Sequence, residues 1–326
     1  MPDAARAPRI AVAVPSHERP VRLRWLLNAL AEQTLPGEEW EVVVVHDSAG
    51  PETEALLEAH PLARAGVLRH RRVAPTLAGP KRNIAWREAR APLVAFTDDD
   101  CRPPPDWLER ALAAAESNPG AVVQGATRPD PDEAHLLAAA PHGVSQEIDP
   151  PTPWGESCNI VYPRALLEAL DGFEEAVALQ SGEDTDLLAR AREQGAPLAA
   201  APEVLTWHAV DTPALPRRVR VTRRWGDGAF VYRRHPAMRR HLTARVLWKP
   251  SHGWLLLAAG GLVLGRRRPA ARALLVPWLV CNRPPRGRRP RGLLRSVLEL
   301  PGQTVVDAAE VVAMVRGSVR HRTPVL

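Results

Sequence analysis

The residues best equipped for chemistry lie in Phe96-Thr-Asp-Asp-Asp-Cys-Arg-Pro-Pro-Pro-Asp106. Three consecutive carboxylates, Asp98, Asp99 and Asp100, follow an apolar run, and three prolines stop the chain before a helix expected from about Trp107. Neighbouring like charges repel, and a divalent cation bound through oxygen removes that cost. The competing explanation is an acidic turn in water. Three further groups bear on the choice. Asp47 ends a β-branched run, His208 ends the apolar segment 204–208, and Glu183, Asp184 and Asp186 open a helical stretch. Each has an ordinary alternative: a strand-end cap for Asp47, a core or surface imidazole for His208, and acids favoured by the helix dipole for the last three.

The elements that would position these groups alternate in type. Residues 10–14 (Ile-Ala-Val-Ala-Val) read as a buried strand ended by Pro15, and Pro20 opens a helix with Leu23, Leu26, Leu27 and Leu30 at helical spacing. The uninterrupted run 41–47 has the pattern of a strand covered on both faces. A helix over 52–60, a weaker strand over 67–73, a helix over 81–90 and the strand before Asp98 follow. This alternation predicts an α/β fold with a mostly parallel sheet and helices on both faces. Ligands of such sheets sit beyond the carboxyl ends of the strands. Three ends then converge: Pro15-Ser-His-Glu18, Asp47-Ser48 and Asp98-Asp-Asp100. No Gly-x-Gly-x-x-Gly follows the first strand and no Gly-Lys-Ser/Thr loop occurs, so the dinucleotide and P-loop classes lose their main support.

Taken together, the motifs resemble a known family. Val14-Pro-Ser-His-Glu-Arg-Pro20, Val44-Val-His-Asp-Ser48, Gly79-Pro-Lys-Arg-Asn83 and Phe96-Thr-Asp-Asp-Asp100 stand in the order and spacing of family 2 glycosyltransferases of the GT-A (Rossmann-like) fold. Ser157-Cys-Asn-Ile-Val161, Gly172-Phe-Glu-Glu175, Ser181-Gly-Glu-Asp-Thr-Asp-Leu187 and Trp207-His208 extend the likeness over roughly residues 8–235. The resemblance implies a nucleotide-diphosphate sugar donor, an acceptor hydroxyl on a glycan, glycolipid or small molecule, Mn²⁺ or Mg²⁺, and inversion at the anomeric carbon. It assigns the metal to Asp98, Asp100 and His208, with Asp99 sharing the metal or holding the ribose. Asp47 matches the carboxylate that faces the nucleobase, although His46 stands where relatives often carry a second Asp. His17 takes the place of a base-stacking aromatic. Pro15, Glu18 and Arg82 complete the donor side. Asp184 is the implied base, with Glu183 and Asp186 beside it.

The bulk of the chain separates by charge. Residues 217–326 hold 24 Lys/Arg against 4 Asp/Glu, whereas 1–216 hold 19 against 33. We expect a GT-A domain over 8–215 and a basic helical region over 216–326, whose charge would draw it to polyanions. Nucleic acid is not expected: no recognition module is present, and aromatic content is 5%. Arg224-Trp225 resembles a pair found in membrane-bound glycan polymerases, but Val221 stands where those have Gln, which favours transfer of one sugar at a time. The apolar runs 254–264 and 273–281 are shorter than the ~20 residues needed to span a bilayer, and Arg266-Arg-Arg268 separates them. They predict a hairpin in the interface of an anionic membrane or, alternatively, a packed helical subdomain. A further helix is expected over 301–316. The N-terminus lacks a basic then apolar leader, and the three cysteines show no CxxC spacing. A cytoplasmic protein, peripheral at the inner membrane face, is therefore expected. The function from another class that competes is a catalytically silent adaptor, docked by the basic tail.

Overall fold

The computed structural model describes residues 7–284, 286–287 and 289–326. Residues 1–6, where no leader is expected, and Arg288 of the basic block lie outside them. The chain divides into two compact units. The first comprises residues up to 134, 145–179 and 183–210; the second comprises 135–144, 180–182 and 211–326.

The first unit is built on an eight-stranded sheet in the order β3-β2-β1-β4-β7-β6-β8-β5. Its strands are β1 (Ile10–Ser16), β2 (Trp40–His46), β3 (Leu68–Arg72), β4 (Leu93–Phe96), β5 (Cys101–Arg102), β6 (Val122–Pro129), β7 (Ile160–Pro163) and β8 (Leu198–His208). The half formed by β3, β2, β1 and β4 is parallel throughout. Beyond it β7 runs antiparallel to both β4 and β6, β8 is parallel to β6, and β5 pairs antiparallel with β8. The sheet is thus mixed α/β, with the parallel half legible from the βα alternation. The antiparallel strand follows a long irregular stretch that carries no such alternation.

Helices of this unit are α1 (Pro20–Ala31), α2 (Pro51–Ala59), α3 (Pro61–Arg64), α4 (Ala78–Glu88), α5 (Trp107–Ser117), α6 (Ala134–Ala139, shared with the second unit), α7 (Arg164–Leu170) and α8 (Glu183–Glu193). Because strand side chains alternate, β1 and β2 feed two cores. Ile10, Val12, Val14, Val42 and Val44 pack with Leu23, Leu26, Leu27 and Leu30 of α1 and with Trp107 and Leu108 of α5. Ala11, Ala13, Val43 and Val45 pack on the other face with Ala85 and Trp86 of α4 and Leu187 and Leu188 of α8. Every residue of β1 and β2 is buried, as the uninterrupted apolar runs require. Pro15 does not end β1: the strand continues through Ser16, which pairs with His46. β8 is longer than 204–208, with a shift of register against β6 at Gly125/Ala126. There the Asn159 side-chain amide donates to Ala126 O and Val204 O, both at 2.7 Å. A Cβ on Gly125 would lie 2.3 Å from Val204 O and 2.4 Å from Asn159 Nδ2, so only glycine fits that approach.

The second unit is helical: α9 (Leu215–Val221), α10 (Gly228–Arg234), α11 (Pro250–Leu264), α12 (Leu275–Cys281) and α13 (Pro290–His321), with 3₁₀ turns between. The helix expected over 301–316 is corrected: α13 begins at Pro290 and Pro301 sits inside it. α11 and α12 carry the two apolar runs. Among the described residues no helix is long and apolar enough to cross a membrane.

Candidate active site

The C-terminal ends of β1, β2 and β4 place their polar residues beside one another. Asp47, one residue past β2, is buried and receives three groups. Lys81 Nζ from α4 lies 2.7 Å from Oδ1, His17 Nδ1 lies 2.8 Å from the same oxygen, and Thr76 N–H donates to Oδ2 at 2.9 Å. Lys81 also donates to Ser16 O at 2.9 Å, which ties the ends of β1 and β2 to α4. Burial pushes the Asp47 carboxyl up, but these donors, led by Lys81, outweigh it and hold it below the usual carboxylate range. The His17 side chain stays 66% exposed, so its ring face is open to a ligand. Glu18 has a positive φ of 53°, and its Oε1 accepts Ala49 N–H at 2.6 Å.

The acidic triplet splits three ways. Asp98 Oδ1 accepts from Arg82 Nη2 of α4 at 2.7 Å, and Arg82 Nη1 reaches Glu183 Oε1 at 3.1 Å. Burial, the largest influence, raises Asp98, but the Arg82 charge and hydrogen bond together with the other cations outweigh it, so it stays ionised; the carboxylates around Arg82 likewise outweigh its own burial. Asp99 is turned toward β1, accepting from Ser16 Oγ at 2.8 Å and His17 N–H at 3.2 Å. Burial, with the adjacent Asp100 charge, pushes Asp99 up to about 6. Asp100 accepts from Arg19 Nη1.

β5 explains why His208 is here. Cys101 pairs with His208 in the β5–β8 ladder, which brings Asp100 Oδ1 to 3.4 Å from His208 Nε2. His208 Nδ1 lies 2.8 Å from Ala209 O, and a carbonyl can only accept, so the ring proton sits on Nδ1. In a neutral ring of this tautomer the Nε2 lone pair faces a carboxylate oxygen, an arrangement that suits a cation between them. Donation of the far ring N–H to a backbone carbonyl is the usual support of a metal-binding histidine. Oxygen and imidazole donors thus fit a divalent ion at Asp100 and His208. Asp98, the other expected ligand, accepts from Arg82 through Oδ1, as Asp100 does from Arg19 through Oδ2.

Glu183 and Asp184 start α8, half-buried. Burial first, and the neighbouring Glu183 charge second, push Asp184 up to about 8 against the pull of Arg82. Asp186 is fully buried and accepts from Arg190 Nε at 2.8 Å; Arg190 also donates to Leu170 O and Gly172 O. Asp186 therefore anchors the 170–172 turn. Arg224 and Trp225 belong to the second unit, where the guanidinium lies 4.4 Å from the indole centroid and Trp225 packs on Trp248. The site thus gathers Pro15, His17, Glu18, Asp47, Arg82, Asp98, Asp99, Asp100, Glu183, Asp184 and His208. Sequence reasoning missed Ser16, Arg19 and the Lys81 contact with Asp47. Ser16 and Arg19 flank the quoted His17-Glu18, a signal that could have brought them in.

A sheet of this order, with acidic residues at the ends of its parallel half, defines the GT-A glycosyltransferase fold. Residues 11–160, which lie mostly in the first unit, match the family described as "Glycosyl transferase family 2". Among curated proteins, validoxylamine A glucosyltransferase of Streptomyces hygroscopicus subsp. limoneus is 27% identical over 240 residues, covering 62% of this chain and 52% of that protein. Glycosyltransferase AglE of Haloferax volcanii is 26% identical over 120 residues, covering 36% of this chain and 39% of its own. The chain spans about half the length of the glucosyltransferase it matches. Among solved structures, a Pyrobaculum calidifontis mannosyltransferase in complex with GDP-Man and Mn²⁺ superposes with a TM-score of 0.59 at 21% identity, covering 97% of this chain and 89% of that one. S. aureus TarS 1–349 in complex with UDP-GlcNAc gives 0.52 at 18%, covering 97% and 92%. At these identities the structural likeness speaks for the fold.

Proposed function

We propose that the chain is an inverting glycosyltransferase that moves one sugar from a nucleotide-diphosphate donor to an acceptor hydroxyl with the help of a divalent metal. The observation that carries this reading is Arg82, which joins Asp98 to Glu183 and so brings the acidic strand end and the start of α8 into one cluster. In this reading Asp47 accepts from the nucleobase and the exposed His17 ring stacks on it. Asp100 and His208 hold the metal, with Asp98 and Asp99 on the donor side. When bound, that ion neutralises charge developing on the departing nucleoside diphosphate. Asp184 removes the proton of the acceptor hydroxyl as the anomeric carbon is attacked, a role that favours a carboxyl raised toward the working pH. Arg82 keeps Asp98 ionised while itself remaining charged. The mannosyltransferase neighbour in complex with GDP-Man and Mn²⁺ supports the donor and metal classes.

The second unit docks this enzyme on an anionic bilayer surface, in keeping with a role in glycan or glycolipid synthesis at the inner membrane face. Leu262, Val263 and Leu264 of α11 and Val276 and Val280 of α12 are exposed, and Arg266, Arg267 and Arg268 follow α11 directly. Apolar side chains flanked by arginines suit the interface between headgroups and acyl chains.

Hydrolysis of a panel of UDP-, GDP- and dTDP-sugars with Mn²⁺ tests the enzymatic reading. Turnover of at least one donor, abolished by EDTA, is expected. Calorimetry showing no donor binding with or without metal would sink it and leave the fold as a silent adaptor.

A further inference from the structure

A second cluster lies one residue upstream of Asp47. His46 ends β2, its ring is fully buried, and neither ring nitrogen has an aligned hydrogen bond. Yet Glu54 Oε1, from α2, is 2.8 Å from His46 Nε2, and Glu54 Oε2 is 3.7 Å from His70 Nδ1. β3 pairs in parallel with β2, Val44 opposite His70, so the period of two puts His46 and His70 on the same face of the sheet. Their ring centroids are 6.4 Å apart. The three ligand atoms all lie within 4.8 Å of one another.

Two imidazoles and a carboxylate are the donor set of a zinc site that keeps one position open. Bonds of about 2.0–2.2 Å in a tetrahedron separate ligand atoms by roughly 3.3–3.5 Å, and the contacts here bracket that spacing. Imidazole donors select a zinc-like ion over Mg²⁺. The other closed set among the described residues, His252, Asp307 and Glu310, differs in one decisive respect. Lys249 Nζ already lies 2.8 and 3.0 Å from the two Glu310 oxygens, and Asn282 and Gln303 donate to Asp307. Its carboxylates are met by cations and amides outside the set, whereas His46 Nε2 meets only Glu54, itself a member of the set, and Nδ1 has no aligned partner.

We propose that His46, Glu54 and His70 bind one zinc-like divalent transition-metal ion, which pins α2 and β3 to the end of β2 immediately before Asp47. The proposal stands on side-chain geometry and does not depend on the sugar-transfer reading.

The test uses the full chain, stripped of metal, titrated with Co²⁺ and with Zn²⁺ against a chromophoric chelator. One equivalent of Co²⁺ with the intense visible bands of a tetrahedral site is expected, displaced by Zn²⁺. His70→Ala and Glu54→Gln, both at partly exposed positions, should lose that equivalent or weaken it at least about 100-fold while circular dichroism stays native. Asp100→Asn and Glu310→Gln should retain it. No tetrahedral Co²⁺ band in the wild-type chain, retention of the band in both His70→Ala and Glu54→Gln, or its loss in Asp100→Asn or Glu310→Gln would each overturn the assignment.

Discussion

Asp184 concentrates the chemistry at the scale of one residue. Its carboxyl is raised to about 8 because burial and Glu183 disfavour the charge more than Arg82 favours it. The unfolded chain would ionise it near pH 4. Between these values the folded state holds more protons than the unfolded one, so this group's contribution to stability declines as pH rises from about 4 to about 8. Asp184→Asn removes that decline. The gain in melting temperature of the variant over wild type should be larger at pH 8 than at pH 5; an equal or smaller gain at pH 8 would contradict the raised carboxyl. Sugar transfer should fall by about 10²- to 10⁴-fold in the same variant while donor binding persists. Wild-type levels of transfer would reject Asp184 as the base.

Among elements, α4 does most to assemble the site, and it does so with three consecutive side chains. Lys81 reaches Asp47, Arg82 reaches Asp98 and Glu183, and Asn83 turns to the 172–175 loop. Asn83 Oδ1 accepts from Phe173 N–H and Trp86 Nε1–H, and its amide donates to Phe173 O, all between 2.8 and 2.9 Å in a fully buried setting. Gly172, at φ 67°, lies so close that a Cβ there would meet Asn83 Oδ1 at 2.2 Å. Asn83→Ala orphans three buried partners and should cost about 3 kcal/mol or more, read as a lower urea midpoint at unchanged slope. A loss under about 0.5 kcal/mol would show that the loop is held by other means. The sequence marked 79–83 as a motif but not its reach, because nothing local reveals that one helix start faces three loops distant in the chain.

For the molecule as a whole, charge and apolar exposure separate by unit. The basic, apolar-faced helical region should bring the full chain to the top of a density gradient with vesicles containing anionic phosphatidylglycerol. Replacing Arg266, Arg267 and Arg268 by glutamate, or adding salt, should weaken flotation. Flotation that is equal on neutral vesicles and indifferent to the substitution would remove the membrane from the account.

The sequence by itself determined the βα alternation of the parallel half, the three polar strand ends and the charge asymmetry. Each is written in contiguous residues, as apolar period, strand-end carboxylates and arginine blocks. Only the tertiary structure decided that Asp98 is bound by Arg82, that Asp99 turns to Ser16, and that β5 sets His208 against Asp100. It also turned His46 from a departure in a motif into part of a ligand set with Glu54 and His70. Those pairings join residues from 8 to 108 positions apart and depend on strand register and helix facing, which the order of residues along the chain does not state.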